Sequence, residues 1–89
     1  MAVTELYITR AVAGEMEKNK HFGVGVLKSI ARFTDKDWGD TIGDDKMTND
    51  VNSVCGGRIF ARYIIDGKTV YIITETYRKT MTILFAAEY

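Results

Sequence analysis

The stretch that constrains this chain most is GRIFARYIIDGKTVYIITET, residues 57–76. Two runs rich in β-branched and aromatic residues flank Asp66-Gly67. A two-residue Asp-Gly connection is the strongest short-range hairpin signal, because both turn positions need positive φ. Placing the turn there sets Ile65 opposite Lys68 and fixes every pair outward. One face then carries Ile59, Ala61, Tyr63 and Ile65 opposite Thr74, Ile72, Val70 and Lys68. The other pairs Phe60 with Ile73, Arg62 with Tyr71 and Arg58 with Glu75, the last a favourable cross-strand charge pair. TYRK (76–79) reads as a second turn. TMTILF (80–85) reads as a third strand, alternating Met81, Ile83 and Phe85 against Thr80, Thr82 and Leu84.

The first third of the chain has a different period. ELYIT (5–9) opens with a short strand, after which Thr9 is placed to cap a helix over Arg10–Lys18 with Val12 and Met16 on one face. Asn19 ends it. A second helix is expected over His21–Thr34, where Phe22, Val26, Ile30 and Phe33 form one apolar stripe and Lys28 and Arg32 lie on another face. Gly23 and Gly25 each cost about 1 kcal/mol against Ala in a helix, so this helix depends on tertiary packing. FGVGV (22–26) lacks the third glycine of a dinucleotide fingerprint and the Lys-Ser/Thr of a phosphate loop. Close backbone approach to a neighbouring element explains its glycines better. The expectation is one α+β domain over residues 1–89. In it a small antiparallel sheet of three or four strands, ending in a C-terminal meander, packs against two or three N-terminal helices.

An 89-residue chain buries roughly 60–65% of the surface its unfolded form exposes, enough for one modest core. No apolar run approaches the ~18 residues of a membrane span, so no membrane partner is expected. The opening residues lack the basic-then-apolar pattern of a secretory signal, and a cytoplasmic location is expected. The lone Cys55 rules out an internal disulfide. Proline, a common protector of sheet edges, is absent. An unprotected edge and half-apolar strand faces make a homodimer an expectation.

Charge is balanced overall but uneven. Six of the seven aspartates lie in DKDWGDTIGDDKMTND, residues 35–50, around the only tryptophan. Asp35, Asp37 and Gly39 begin like a calcium loop, but position 5 is then glycine, position 6 Asp40 and position 12 Lys46 rather than glutamate. A magnesium nuclease site built on Asp37, Asp40, Asp44 and Asp45 lacks the accompanying Lys, His or Glu on a rigid strand. No metal and no cofactor is expected. His21 has no local serine or cysteine arrangement to serve as a base, and Cys55 precedes the Gly56-Gly57 turn; the chain is not expected to be an enzyme. In structural terms, Asp40 or Thr41 is a plausible helix cap and Asp44-Asp45 complement a helix N-terminus. Trp38 suits a core plug under a loop. Separately, Arg58, Phe60, Arg62 and Tyr71 combine cations with aromatics on one hairpin face, as single-strand nucleic-acid platforms do, although the domain is not basic.

LYITRAVA (6–13), DWGD (37–40), DDK with ND (44–46 and 49–50), VYIITE (70–75) and TILFAAEY (82–89) together resemble the small "plasmid-related" proteins of Firmicutes mobile elements. The resemblance covers nearly the whole chain. It departs at the end, where Ala86-Ala87-Glu88-Tyr89 replaces a Pro-Glu-Glu-Tyr-like tail. It implies an accessory protein that binds a bacterial protein or nucleoprotein complex, of the anti-CRISPR or anti-restriction type, inhibiting a defence nuclease stoichiometrically. An acidic surface would then occupy a Lys/Arg-lined channel in place of phosphate. The residues assigned to that surface are Asp35, Asp37, Asp40, Asp44 and Asp45, with Trp38 as anchor.

Overall fold

The computed structural model describes residues 5–76 and 80–89. The elements follow as β1 (Glu5–Ile8), α1 (Arg10–Lys18), α2 (Lys20–Thr34), α3 (Asp44–Cys55), β2 (Ile59–Ile65), β3 (Lys68–Thr74) and β4 (Thr80–Phe85), closed by a 3-10 turn over Ala86–Glu88. The fold is α+β, with a four-stranded sheet ordered β1-β4-β3-β2.

The hairpin forms in the expected register over all seven pairs from Ile59–Thr74 to Ile65–Lys68. Asp66 (φ 52°) and Gly67 (φ 76°) both adopt left-handed backbone, the geometry that matches the twist of paired strands. Beyond the strand ends, Arg58 Nε lies 3.3 Å from Glu75 Oε1. The second turn expected at TYRK (76–79) lies, in its residues 77–79, outside the described residues. Strand β4 pairs antiparallel with β3. The first strand departs from the antiparallel pattern: β1 runs parallel to β4, from Glu5–Thr80 to Ile8–Ile83, so the sheet is mixed. The main chain continues that pairing, with Thr9 N–H donating to the Ile83 carbonyl at 3.1 Å.

One residue joins the first two helices. Asn19 N–H donates to the Glu15 carbonyl at 2.9 Å and closes α1, while its side-chain oxygen accepts from Phe22 N–H at 3.2 Å and starts α2. That second cap begins α2 at Lys20, one residue before the expected start. The predicted stripe then faces the sheet. Phe22, Val26 and Phe33 are fully buried with Val12 of α1, against Ile59, Ala61, Tyr63, Val70, Ile72 and Ile83. Gly25 explains itself by contact: a Cβ there would lie 2.3 Å from Ile65 Cγ2. The opposite sheet face is also partly covered, since Ile73 and Leu84 are buried. Among the described residues, no helix is long and apolar enough to cross a membrane.

Candidate functional site

The acidic stretch turns out to be architecture in its first half. β2 is an outer strand, and the amides of Phe60, Arg62 and Ile64 point away from β3. Asp40 Oδ2 accepts from Ile64 N–H at 2.8 Å, and Thr41 Oγ1 accepts from Arg62 N–H at 2.8 Å. Asp40 N–H donates to the Arg62 carbonyl at 2.8 Å. Asn49, buried on α3, donates to the Phe60 carbonyl at 2.8 Å and accepts from Phe60 N–H at 3.1 Å. Asn52 Nδ2 donates to the Arg58 carbonyl at 2.6 Å. Side chains thus satisfy groups that an exposed edge would offer to another strand. Two expectations are corrected here. Asp40 and Thr41 do not cap a helix, because β2 takes their oxygens; Gly43 occupies the N-cap of α3 without a side-chain bond. The sheet edge at β2 is also not open despite the lack of proline, which leaves β1, with Leu6 and Tyr7 exposed, as the edge available to a second copy.

The approach to that edge needs a special residue. Gly39 has φ 63°, and a Cβ on it would sit 2.4 Å from the Tyr63 ring. Just before it, Asp37 is clamped by Arg32, whose Nε and Nη2 donate at 2.9 and 3.3 Å, and it also accepts from Gly39 N–H at 3.0 Å. Arg32, then the Gly39 amide, hold the Asp37 carboxyl below the usual carboxylate range. Tyr63 OH donates to the Asp37 carbonyl at 2.7 Å. Burial, with the nearby Asp37 charge, pushes that phenol up. Trp38 is 4% exposed, edge-on to Phe33 at 5.3 Å, with its indole N–H donating to Asp50 at 2.7 Å. It is the plug under the loop; as an anchor for a partner it has no surface to offer.

Of the acids assigned to a binding surface, Asp37 and Asp40 therefore have their carboxylates engaged within the fold. Asp35, Asp44 and Asp45 are exposed, with no side-chain bond among the described residues, and the last two occupy the first turn of α3 as expected. Among the described residues, no group of three or more His, Cys, Asp or Glu could hold a metal ion.

What composition did not reveal is the outer face of α3. Met47, Val51 and Val54 are 68%, 55% and 79% exposed. Their i, i+4, i+7 spacing makes them one stripe. Asp44 lies one turn before it and Asp50 between its members. The helix turns its amide side chains to the sheet and its apolar ones to solvent, the reverse of a helix folded for burial alone.

The alternative hairpin face is assembled differently from an open stacking platform. Phe60 and Tyr71 pack at 4.6 Å, and Tyr89, which sequence reasoning did not select, packs edge-on against both. Arg58 lies over Phe60, paired with Glu75 and donating to Tyr89 OH at 3.2 Å. Arg62 and Tyr71 are half-buried. The three rings pack on one another, with Tyr89 65% exposed. Comparison with protein families, curated proteins and solved structures finds none that matches the chain.

Proposed function

We propose that this chain is a non-enzymatic protein-binding factor that docks through α3. The observation that carries the reading is the uncovered stripe of Met47, Val51 and Val54 beside the acidic first turn of the helix. Apolar anchors bordered by charge are how an amphipathic helix is taken up by a groove. The complementary partner has an apolar groove with Lys or Arg on its rim. Carboxylates at the rim speed encounter with such a partner and reject acidic ones. The resemblance to plasmid-related proteins extends the proposal to a bacterial defence nuclease, whose nucleic-acid channel supplies cations in quantity. Inhibition would then follow from occupancy.

Pull-down against purified Cas effector and restriction complexes tests the proposal. The natural chain is expected to be retained, and a variant carrying Met47→Ser, Val51→Ser and Val54→Ser is expected to wash through while keeping its Tm. Equal retention of the two removes α3 from the account. Retention of neither removes the nuclease as partner.

A further inference from the structure

The helical layer holds a second feature, of opposite charge. Residues 10–36 carry six Lys and Arg against three Asp and Glu, whereas residues 37–57 carry one against five. Zero net charge conceals this asymmetry. On the outer flank of α2, facing the turn end of β2, lies a groove of about 540 Å³ lined by Lys20, His21, Lys28, Arg32, Ile64 and Asp66 among others. Lys20, Lys28 and Arg32 fall on a four-residue repeat, with Val24 at the remaining step. Such a repeat forms a single ridge, here about 18 Å long at 1.5 Å per residue.

These cations are available. Lys20, His21 and Lys28 are exposed and have no acidic partner among the described residues. Asp66, the carboxylate in the lining, has one oxygen engaged by Asn19 Nδ2 at 2.6 Å. Arg32 is held in place by Asp37 through two nitrogens. A guanidinium has five N–H donors, so three remain for a ligand. Beside the cations the groove is lined by the half-exposed Val24 and Ile64 and by Gly25, whose missing side chain lets α2 approach Ile65.

We propose that this groove binds the phosphodiester backbone of a single-stranded nucleic acid. Lys28 and Arg32 meet neighbouring phosphates and Lys20 one further along the strand, and Val24 with Ile64 underlies a base between them. An 18 Å row of cations is longer than one phosphate group requires but suits a strand. The apolar floor favours a strand with bases free to contact it over a duplex whose bases are stacked inside. The site is separate from α3 and from the Arg58, Phe60, Arg62, Tyr71 face.

Fluorescence anisotropy with a labelled oligothymidine at 50 mM salt tests the site. Three phosphate contacts on a single strand predict a slope of about −2 for log K against log salt. Lys20→Ala with Lys28→Ala is expected to weaken binding at least tenfold and flatten the slope to about −0.7, with Tm unchanged. Absence of binding at 50 mM salt, or binding indifferent to the two substitutions, overturns the proposal. So does loss of binding on Arg58→Ala with Arg62→Ala alone, which would place the strand on the sheet. Displacement by a nucleoside triphosphate at equal phosphate concentration would overturn it in favour of a single-nucleotide site. Equal competition by polyglutamate would overturn it as well, in favour of a general attraction for acids.

Discussion

Within one acidic run, Asp37, Asp40 and Thr41 turn their polar atoms inward, onto Arg32, the Gly39 amide and the amides of β2. A few residues later, Asp44, Asp45, Met47, Val51 and Val54 turn outward. The difference teaches that a count of carboxylates is not a measure of negative surface. Asp37 is matched by a guanidinium, Asp40 by a backbone amide and Asp50 by an indole N–H. The first half of the run is needed for the sheet to end cleanly. In the second half Asn49 and Asp50 are engaged in the same way, whereas the outward Met47, with Val51 and Val54 beyond the run, is dispensable for stability, which is what freedom to bind requires.

Substitutions at the inward half should cost most. Gly39→Val combines positive φ with a Cβ 2.4 Å from the Tyr63 ring, and the strain is expected to cost at least about 3 kcal/mol. Urea unfolding reads this directly, and a loss below about 1 kcal/mol would mean the loop can leave β2 cheaply. Next comes Asn49→Ala, which strands both the N–H and the carbonyl of Phe60. Its expected cost is about 2–3 kcal/mol. Sedimentation velocity should also detect concentration-dependent association of this variant, because an opened edge invites a second strand; a variant that stays as monodisperse as the parent separates edge cover from association.

Smaller effects sharpen the comparison from the other side. The Arg32–Asp37 pair is half exposed, so solvent screening limits Asp37→Asn to roughly 0.5 kcal/mol near neutral pH. Its sign is set by the depressed folded pKa. The stabilisation is complete above the unfolded carboxyl value near 4 and is lost as pH falls through the lower folded value. Thermal unfolding from pH 7 to pH 2 should therefore show parent and variant converging in acid; a constant gap would assign the difference to packing. Least of all, Met47→Ser, Val51→Ser and Val54→Ser together should leave Tm within about 2 °C of the parent. A large fall would show that the stripe is covered within the fold.

Legibility in the sequence followed the range of the interaction. Asp66-Gly67 and a period of two specify the hairpin register locally, and Thr9, Asn19 and the Phe22, Val26, Ile30, Phe33 stripe specify two helices in the same way. Partners distant along the chain left no such trace. The parallel docking of β1 on β4 joins residues some 75 positions apart, and nothing in ELYI distinguishes a parallel from an antiparallel edge. The bonds from Asp40, Thr41 and Asn49 to β2 cross 11 to 24 residues without any periodicity, so their residues read as caps or as free charge. Trp38 carried both readings, plug and anchor, until burial separated them. The Met47, Val51, Val54 spacing was visible, but whether an apolar stripe faces a core or solvent depends on what packs beside it. Lys28 and Arg32 were legible as one face; the groove they share with Ile64 exists only once α2 meets the hairpin.

The central claim is that β2 ends the sheet as a closed edge, sealed by residues 40, 41 and 49. Amide hydrogen exchange followed by NMR tests it residue by residue. Along β2, the inward amides of Ala61 and Tyr63 pair with β3, while those of Phe60, Arg62 and Ile64 face Asn49, Thr41 and Asp40. A closed edge predicts that the outward set is protected comparably to the inward set, and that Asn49→Ala accelerates Phe60 selectively. Alternating exchange in the parent, with Phe60, Arg62 and Ile64 fast beside slow Ala61 and Tyr63, would contradict it.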